Sequence, residues 1–384
     1  MGLAHSPSIA TNGLVFYYDM NNPQKSWKGA PTTNLVNPNW ASWSVDGSGQ
    51  GSIGTRTITD SFTCTIVDEV ANTRQNAYID SGITASTTYT FSVQYKKLFG
   101  TPTLRFQIQA YNGSTYLSTM SFATTAQLGL ADIEGWQTAK ITLTTPASTN
   151  RILWFMQDGD DYTTYTHRFM LANVQCEQQA FATPFVAGTR SNTQAILDLT
   201  NNNTITATSL TYVSDSTFSF NGSSGNITSS SFTGHQTISG TIMGWAYPTS
   251  TSGDLYLVAA GGTNTYGASR AIRINSGSWC AVNYGSSTED WNGIVGAIIN
   301  TWQHIAYVWS GTTIRFYFNG VEYTNTRSGM VIPLGSVLTI GATAWSPVYG
   351  YFPGKINSIQ AYSRALSSPE VLQNFNAQRG IYGI

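Results

Sequence analysis

The stretch at residues 301–320, TWQHIAYVWSGTTIRFYFNG, decides the fold. Apolar and polar side chains alternate twice in it, and Ser310-Gly311-Thr312-Thr313 separates the two runs. Period-two runs bounded by Gly, Ser and Asn are typical of antiparallel strands joined by a hairpin. Asn319-Gly320 ends the second run and predicts a further tight turn. The stretch therefore predicts the centre of a β-sandwich.

Similar runs recur along the rest of the chain with almost no helical spacing between them. They lie at residues 89–95, 104–108, 136–143, 151–156, 237–245, 270–274 and 354–362. Such spacing predicts an all-β protein built from two β-sandwich or jelly-roll domains. One short helix is predicted near the C-terminus, where Ser367 or Ser368 caps it, Pro369 and Glu370 lie in its first turn, and Gly380 ends it.

The composition limits the classes of function. The 384 residues can form two domains with separate cores, yet only 10% of them are charged, against a usual figure of about 25%. Thr, Ser, Asn and Gly supply most of the polar surface instead. The formal net charge of −1 provides no basic field to hold a phosphate backbone, so we expect no nucleic-acid partner.

The cysteines and the N-terminus carry further expectations. Cys64, Cys176 and Cys280 show no CxxC spacing, which predicts buried free thiols and argues against a disulfide framework or a thiolate zinc site. The first residues have neither a basic start nor an apolar core, so we expect synthesis without a signal peptide. No apolar window reaches the length of a membrane span, so we expect no membrane insertion.

Four motifs in the C-terminal half point to a family. They are WQHIA at 302–306, FYFNG at 316–320, LTIG at 338–341 and GKINSIQAYSRALS at 354–367. In this order they resemble the laminin-G-like, concanavalin-A-like lectin sandwich. The ending at 368–380 is similar to versions found in bacteriophage virion proteins. The resemblance implies a structural protein of the virion surface, in a tail or head fibre, an appendage or a decoration.

The N-terminal strand predicts how the domains are arranged. GLVFYYD at 13–19 resembles the opening strand of the lectin domain in such phage proteins, where segments like LDLTNN at 197–202 and FSFNG at 218–222 soon follow. Here a long stretch intervenes, and its residues 89–95, 174–178 and 182–185 resemble carbohydrate-binding-module jelly rolls of tail and fibre proteins. We therefore predict that residues 1–37 supply the first strand of a lectin-like domain, 38–187 form an inserted jelly roll, and 188–384 complete the lectin sandwich.

Calcium is the one cofactor that the sequence leaves open. The lectin family often has Asp where this chain has Asn221 and Asn226, and carboxamides are weaker calcium ligands than carboxylates. The densest acidic cluster comprises Asp158, Asp160 and Asp161. It lacks the alternating ligands and the closing Glu of a calcium loop, so a solvated turn is the alternative.

Glycoside hydrolysis is the enzyme hypothesis that this fold raises. It needs two carboxylates about 5 to 9.5 Å apart, and lectin-like glycanases carry Glu-x-Asp-x-x-Glu on one strand. No glutamate of this chain is followed by Asp two residues later, which predicts a non-enzymatic protein. The alternative is a virion polysaccharide depolymerase, whose candidate carboxylates are Asp158, Asp160, Asp161, Glu289 and Asp290.

Aromatic residues are the better indication of a binding site, since Trp and Tyr rings stack on the C–H faces of sugars. The chain has 11 Trp and 21 Tyr, more than we expect two cores to need. Core positions are predicted for Trp136, Trp154, Trp245, Trp302 and Trp309. Candidate glycan ligands in loops rich in Gly, Ser and Asn are Trp279, Asp290, Trp291, Asn292, Trp345 and Tyr266, with Trp40 and Trp43 in the insert.

Protein interfaces favour the same residue types, so subunit contact is an equal alternative for these positions, and plain packing is a third. The expected partners are a host-surface glycan, other virion proteins and further copies of the chain.

Overall fold

A computed structural model describes residues 8–21, 26–47, 55–68, 73–100, 104–131, 133–158, 167–212, 218–262, 269–284, 290–326, 332 and 335–384. The chain folds into two compact units, one of Met1–Ala30 with Ser191–Ile384 and one of Pro31–Arg190. The predicted domain breaks, after residues 37 and 187, lie a few residues from these. Both units consist of β-sheets, and the predicted all-β class is confirmed.

The second unit contains two five-stranded sheets. Numbered along the chain after β1 (Leu14–Asp19) of the first unit, its strands are β2 (Thr32–Thr33), β3 (Ser44–Gly47), β4 (Thr55–Asp60), β5 (Thr63–Asp68), β6 (Thr73–Ile79), β7 (Thr88–Phe99), β8 (Leu104–Asn112), β9 (Thr115–Ala123), β10 (Gly135–Thr144), β11 (Arg151–Asp158), β12 (His167–Glu177) and β13 (Thr189–Arg190). The orders are β10-β7-β12-β5-β4 and β3-β6-β11-β8-β9, and β2 pairs with β13.

The core of the second unit forms around Trp154 of β11. Its ring makes edge contacts with Phe91 of β7 at 5.1 Å and with Phe106 of β8 at 5.2 Å between centroids. Alternate residues of β8 are buried, as period-two strands with one face on a core require. Because β7 and β8 belong to different sheets, the two inner faces share one core.

The first unit contains an eight-stranded and a seven-stranded sheet. Its remaining elements are β14 (Thr206–Thr208), β15 (Thr211–Tyr212), β16 (Phe218–Asn221), β17 (Asn226–Ser229), β18 (Ser239–Pro248), β19 (Asp254–Gly261), β20 (Ser269–Asn275), β21 (Ser278–Tyr284), β22 (Trp291–Gly296), β23 (Gln303–Ser310), β24 (Thr313–Phe318), β25 (Val321–Thr326), β26 (Val337–Ile340), β27 (Pro353–Tyr362) and α1 (Ser368–Gln378). The orders are β15-β16-β27-β18-β23-β24-β25, with β1 also on β27, and β14-β17-β26-β19-β20-β21-β22.

The predicted hairpin is confirmed. Strands β23 and β24 pair antiparallel, with Trp309 opposite Ile314. Asn319 and Gly320 then turn the chain into β25, both with positive φ, 48° and 82°. A tight hairpin turn needs such angles at both central positions, and Asn-Gly tolerates them best.

Strand β23 is buried on both faces, although its alternation suggests one polar face. On the inner side the guanidinium of Arg270 (β20) lies 4.3 Å from the centroid of the Trp309 ring. On the outer side the His304 ring lies 5.6 Å from that of Phe375. Helix α1 therefore covers this sheet, and burial lowers the pKa of His304 to about 3, so the ring is neutral.

The start of α1 is as predicted, but its end is not. The Glu370 carboxylate accepts hydrogen bonds from the Ser367 N–H and hydroxyl, both at 2.8 Å, and the first of these is the carboxylate half of a capping box. The helix ends at Gln378, before Gly380, and a 3₁₀ turn continues to Tyr382. That turn brings the Tyr382 ring onto Trp245, 4.1 Å between centroids. No helix in the part of the chain that the structure describes is long and apolar enough to cross a membrane.

Candidate functional site

Charged side chains converge on Arg273, on the outer face of the seven-stranded sheet. Along β20, Ile272 and Ile274 point into the core, so the alternating Arg273 points outward. Its guanidinium donates hydrogen bonds to Asp290 Oδ2 at 2.9 Å, to Asp254 Oδ2 at 3.3 Å and to Tyr256 Oη at 3.1 Å. One cation and two acids thus meet in a chain that has few charges.

The cluster holds its charges in partial isolation from water. The side chains of Arg273 and Asp290 are only 13% and 7% exposed, and that of Asp254 is 35% exposed. Burial by itself lowers the pKa of Arg273, but Tyr256, Asp290 and Asp254 outweigh it and raise that pKa above its ordinary value. The guanidinium therefore stays charged and holds both carboxylates in place.

Three aromatic rings adjoin this cluster. Tyr256, Trp345 and Tyr349 contact one another edge to face, with centroids 5.5 to 6.1 Å apart. Tyr256 and Trp345 are buried, whereas Tyr349 is 43% exposed. We call Arg273, Asp254, Asp290, Asn292 and Tyr349 the arginine site. It presents hydrogen-bonding groups beside one solvent-exposed aromatic ring, that of Tyr349, an arrangement suited to a hydroxylated ligand.

The structure brings several predicted site residues to this place. Asp290 and Asn292 both contact Arg273, with Asn292 Oδ1 at 3.5 Å. Trp345 packs on Tyr256, and Trp291 is half-buried at the start of β22. Tyr266 lies outside the described residues. Sequence reasoning missed Arg273, although its outward position in the alternation of β20 could have indicated it.

Trp279 does not lie in a loop, so that prediction is wrong. It belongs to β21, opposite Ile274 of β20. Its side chain is fully buried, and its Nε1–H donates to Gln303 Oε1 at 2.9 Å. In a chain with so little charge, Ser and Gly flank strands as well as loops. In this chain, therefore, Ser and Gly beside a residue do not show that the residue lies in a loop.

The two tryptophans of the insert are also core residues, contrary to prediction. Trp40 and Trp43 are buried, with their centroids 5.2 Å apart. Their Nε1–H groups donate to the carbonyls of Phe62 and Asn37, each at 2.9 Å. Trp136 is the opposite case, because a core position was predicted and its side chain is 45% exposed.

The structure describes no metal site. Asp160, Asp161 and the side chain of Asp158 lie outside the described residues, and among those described no three His, Cys, Asp or Glu side chains form a metal-binding group. Asn221 Oδ1 accepts hydrogen bonds from three successive N–H groups of residues 223–225, at 2.9 to 3.0 Å. Its oxygen therefore closes a turn, and calcium binding stays a prediction.

A cavity of about 770 Å³ lies in the first unit, between β1, residues 197–201 and the end of α1. Asp19 and Asp198 both line it. Asp19 accepts a 2.6 Å hydrogen bond from the Tyr17 hydroxyl and a 2.9 Å bond from the Asn21 N–H. Asp198 accepts from the N–H groups of Tyr17 and Thr200, at 2.9 and 3.0 Å. Asp198 thus connects β1 to residues 197–201, whereas these two bonds of Asp19 are local.

A second polar and aromatic surface lies on the outer face of the β3-β6-β11-β8-β9 sheet. Tyr111 of β8 stands opposite Arg151 on one side and Tyr116 on the other. The Tyr111 ring is 5.7 Å from that of Tyr116 and 6.2 Å from that of Tyr78. The Arg151 guanidinium lies 3.7 Å from the centroid of Tyr78. We call Tyr78, Tyr111 and Tyr116 the tyrosine row.

The tyrosine row is open to solvent and close to neutral. Tyr78 is 46% exposed and Tyr116 is 52% exposed. The Tyr111 hydroxyl donates to Gln109 Oε1 at 2.9 Å. Arg151 forms an ion pair with Asp80, so its charge is offset. The sequence signal was Tyr111 in an alternating series of outward polar residues on β8, a position where a core does not need an aromatic ring.

Comparison with known proteins adds a family to this geometry. Residues 221–372 match the concanavalin A-like lectin/glucanases superfamily. This match lies within the first unit, and for that stretch it confirms the lectin-type resemblance. A search of the curated proteins finds no match to the chain.

Solved structures overlap only partly with the chain. The binding domain of botulinum neurotoxin DC in complex with SialylT is 13% identical, with 49% of each chain covered and a TM-score of 0.37. The Ruminococcus gnavus IT-sialidase CBM40 bound to alpha2,3 sialyllactose is 17% identical over 35% of this chain and 80% of its own, with a TM-score of 0.31. The leech intramolecular trans-sialidase is 22% identical over 37% and 24%, with a TM-score of 0.32. The chain spans about half the length of the neurotoxin domain. At these TM-scores, the ligands of these proteins indicate nothing about the ligand of this chain.

Proposed function

We propose that this chain is a non-enzymatic glycan-binding protein of a bacteriophage virion. It would be displayed on the particle surface as a fibre, an appendage or a decoration, and it would attach to glycans of the host. The tyrosine row carries the glycan-binding part of the proposal, because exposed aromatic rings in a polar setting on a sheet face have no structural need to be there.

The aromatic rings and the polar groups of the tyrosine row would contact different parts of a sugar. Tyr78 and Tyr116 offer apolar faces to the C–H faces of sugars, while the hydroxyls and the Gln109 amide exchange hydrogen bonds with sugar hydroxyls. The offset charge of Arg151 favours a neutral sugar chain at this surface. The arginine site supplies similar donors and acceptors in the other unit.

Two further observations support the proposal. The match of residues 221–372 to a superfamily that includes lectins fits a binding role. The resemblance of the ending at 368–380 to phage virion proteins supports the location. Other virion proteins and further copies of the chain are the expected protein partners.

A glycan array probed with the full chain tests the binding. Tyr116→Ala should weaken binding about tenfold, as the loss of an interface anchor does. Phe122→Ala is the matched control, since Phe122 is an exposed ring on the same strand outside the tyrosine row. Its affinity should stay within about twofold of the parent. If the parent protein binds no glycan on the array, glycan binding is rejected and assembly alone remains.

The virion location is tested separately. Labelled antibodies against the chain should decorate phage particles from a lysate that contains the protein, and light scattering should give a mass above that of one chain. Presence in the lysate without any on the particles would contradict the proposed location.

A depolymerase is the second candidate, because Asp19 and Asp198 line one cavity. It ranks second because the oxygens of both carboxylates already accept hydrogen bonds from their own chain, from Tyr17 and Asn21 at Asp19 and from Tyr17 and Thr200 at Asp198, so they are engaged in the fold. Release of reducing ends from a host polysaccharide, abolished by both Asp19→Asn and Asp198→Asn, would establish it. No release by the parent protein would exclude it for the substrates tried.

A further inference from the structure

A cationic pocket lies at one end of the β10-β7-β12-β5-β4 sheet of the second unit. It has a volume of about 360 Å³ and is lined by Lys96, Lys97, Leu98, Ile133 and Glu134. Two of these five described side chains are lysines, and Glu134 is the one acid among them. Because the whole chain has only 18 Lys and Arg in 384 residues, adjacent lysines on a pocket wall are uncommon in it.

An exposed tryptophan stands beside one of the pocket lysines. Trp136 on β10 stands directly opposite Lys96 on β7, so their side chains share the outer face of the sheet. Lys96 in turn stands opposite Met170 on β12. Trp136 is 45% exposed, and the neighbouring Leu98 and Ile133 are exposed as well. The indole is thus a flat apolar surface beside an ammonium group.

We infer that this pocket, Lys96, Lys97 and Glu134 with Trp136 beside Lys96, binds an acidic sugar of a polysaccharide. The volume falls within the range of small-ligand pockets, which begins near 300 Å³. The Lys96 ammonium group complements a carboxylate or sulfate, Trp136 stacks on the sugar ring, and Glu134 accepts a hydrogen bond from a hydroxyl. The inference builds on glycan binding as the function, but it uses a sheet other than that of the tyrosine row.

The charge of the surface favours this occupant over a neutral glycan. Arg168 on β12 adds positive charge to the same sheet and is exposed. The tyrosine row, in contrast, has its arginine offset by Asp80. The two surfaces of the second unit therefore predict different ligands, one acidic and one neutral.

The experiment measures binding of the full chain to alginate, dextran sulfate and unmodified dextran by calorimetry at low salt. Alginate carries carboxylates and dextran sulfate carries sulfates, so together they identify the acidic group, and dextran is the neutral control. We expect alginate or dextran sulfate to bind, and dextran not to bind at this pocket. The double variant Lys96→Gln with Lys97→Gln should weaken that binding at least about tenfold, and Trp136→Ala about as much.

Lys140→Gln is the matched control, since it removes a positive charge from the same face of β10 outside the pocket. It should change the affinity less than about twofold. Equal losses in Lys140→Gln and in a single Lys96→Gln variant would mean diffuse charge attraction and would overturn the inference. A lipid ligand would also overturn the inference. The result that shows it is a shift of Trp emission caused by vesicles of phosphatidylglycerol and phosphatidylcholine, seen in the parent protein and absent in Trp136→Ala, while neither acidic polysaccharide causes a shift.

The outcome separates this inference from the proposed function. If the protein binds no acidic polysaccharide, the inference about the pocket is rejected, but neutral glycan binding at the tyrosine row can still hold. The Tyr116→Ala variant tests that binding separately. If acidic polysaccharides bind through Lys96 and Trp136 while no neutral glycan binds on the array, acidic-sugar binding at the pocket is supported and glycan binding at the tyrosine row is rejected.

Discussion

Replacing Phe375 by alanine tests whether helix α1 is the cover that allows the central strand to be buried on both faces. Phe375 is 5% exposed. Its ring stacks on Trp245 at 5.7 Å with an interplanar angle of 14° and lies 5.6 Å from His304. The substitution removes a buried ring from between the helix and the eight-stranded sheet, and the groups left behind are themselves rigid and aromatic.

The expected loss follows from that environment. A buried Phe→Ala change costs about 3–5 kcal/mol of unfolding free energy, and the upper half applies where neighbours cannot collapse into the space. For a unit of 150–250 residues each kcal/mol lowers Tm by about 2–4 °C. We therefore expect the transition of the first unit to move down by roughly 8–20 °C.

Differential scanning calorimetry measures this shift, and Leu372→Ala is the control. Leu372 lies one turn earlier on the same helix and is 45% exposed, so its loss should cost about 0.5 kcal/mol or less. Amide hydrogen exchange adds a local readout, because β23 should lose protection in Phe375→Ala only. Equal Tm values for the two variants would refute the role assigned to α1.

Two further predictions concern titrating groups. Hydrogen bonds from the Arg364 guanidinium and the Ser367 N–H lower the pKa of Glu370 to about 2, so its stabilisation is complete above pH 4.5 and is lost as the pH falls toward 2. Glu370→Gln should lower unfolding free energy by about 1 kcal/mol at pH 7 and converge with the parent near pH 2, and parallel pH profiles would contradict this. Burial raises the pKa of Cys64 to about 12 and that of Cys176 well above its ordinary value, so neither native thiol should react with a thiol reagent at pH 8, although both should in guanidinium chloride. Rapid native labelling would show that these positions open.

The strands were predictable because their cause is local. Period-two alternation depends on adjacent residues, and the turn at Asn319-Gly320 depends on two residues that accept positive φ. The burial of both faces of β23 was not predictable, because it depends on Phe375, a residue about 70 positions away in the chain. The end of α1 shows the same limit, since Tyr382 is held by Trp245.

The candidate sites divide along the same line. Asp290 and Asn292 were predicted because an acid and an amide beside Trp291 form a local pattern. The partner that joins them, Arg273, lies on another strand, and only sheet pairing brings it there. Trp279 was misplaced because its neighbours in sequence include Ser and Gly, while it stands opposite Ile274 on the next strand and donates a hydrogen bond to Gln303 of the other sheet.

The low charge of this chain changes what its few charged residues mean. Where charges are common, most lie on the surface and contribute little, so a single arginine indicates nothing. Here Thr, Ser and Asn already supply a hydrated polar surface, so solubility does not require Arg273, Arg151 or the Lys96-Lys97 pair. Their positions, each beside an open or bordering aromatic ring, are also not those that a core selects. The proposed glycan binding predicts that neutralising Arg151 or the Lys96-Lys97 pair will affect ligand affinity more than stability. Neutralising Arg273 should lower stability as well, because it leaves the buried Asp290 carboxylate without its cation.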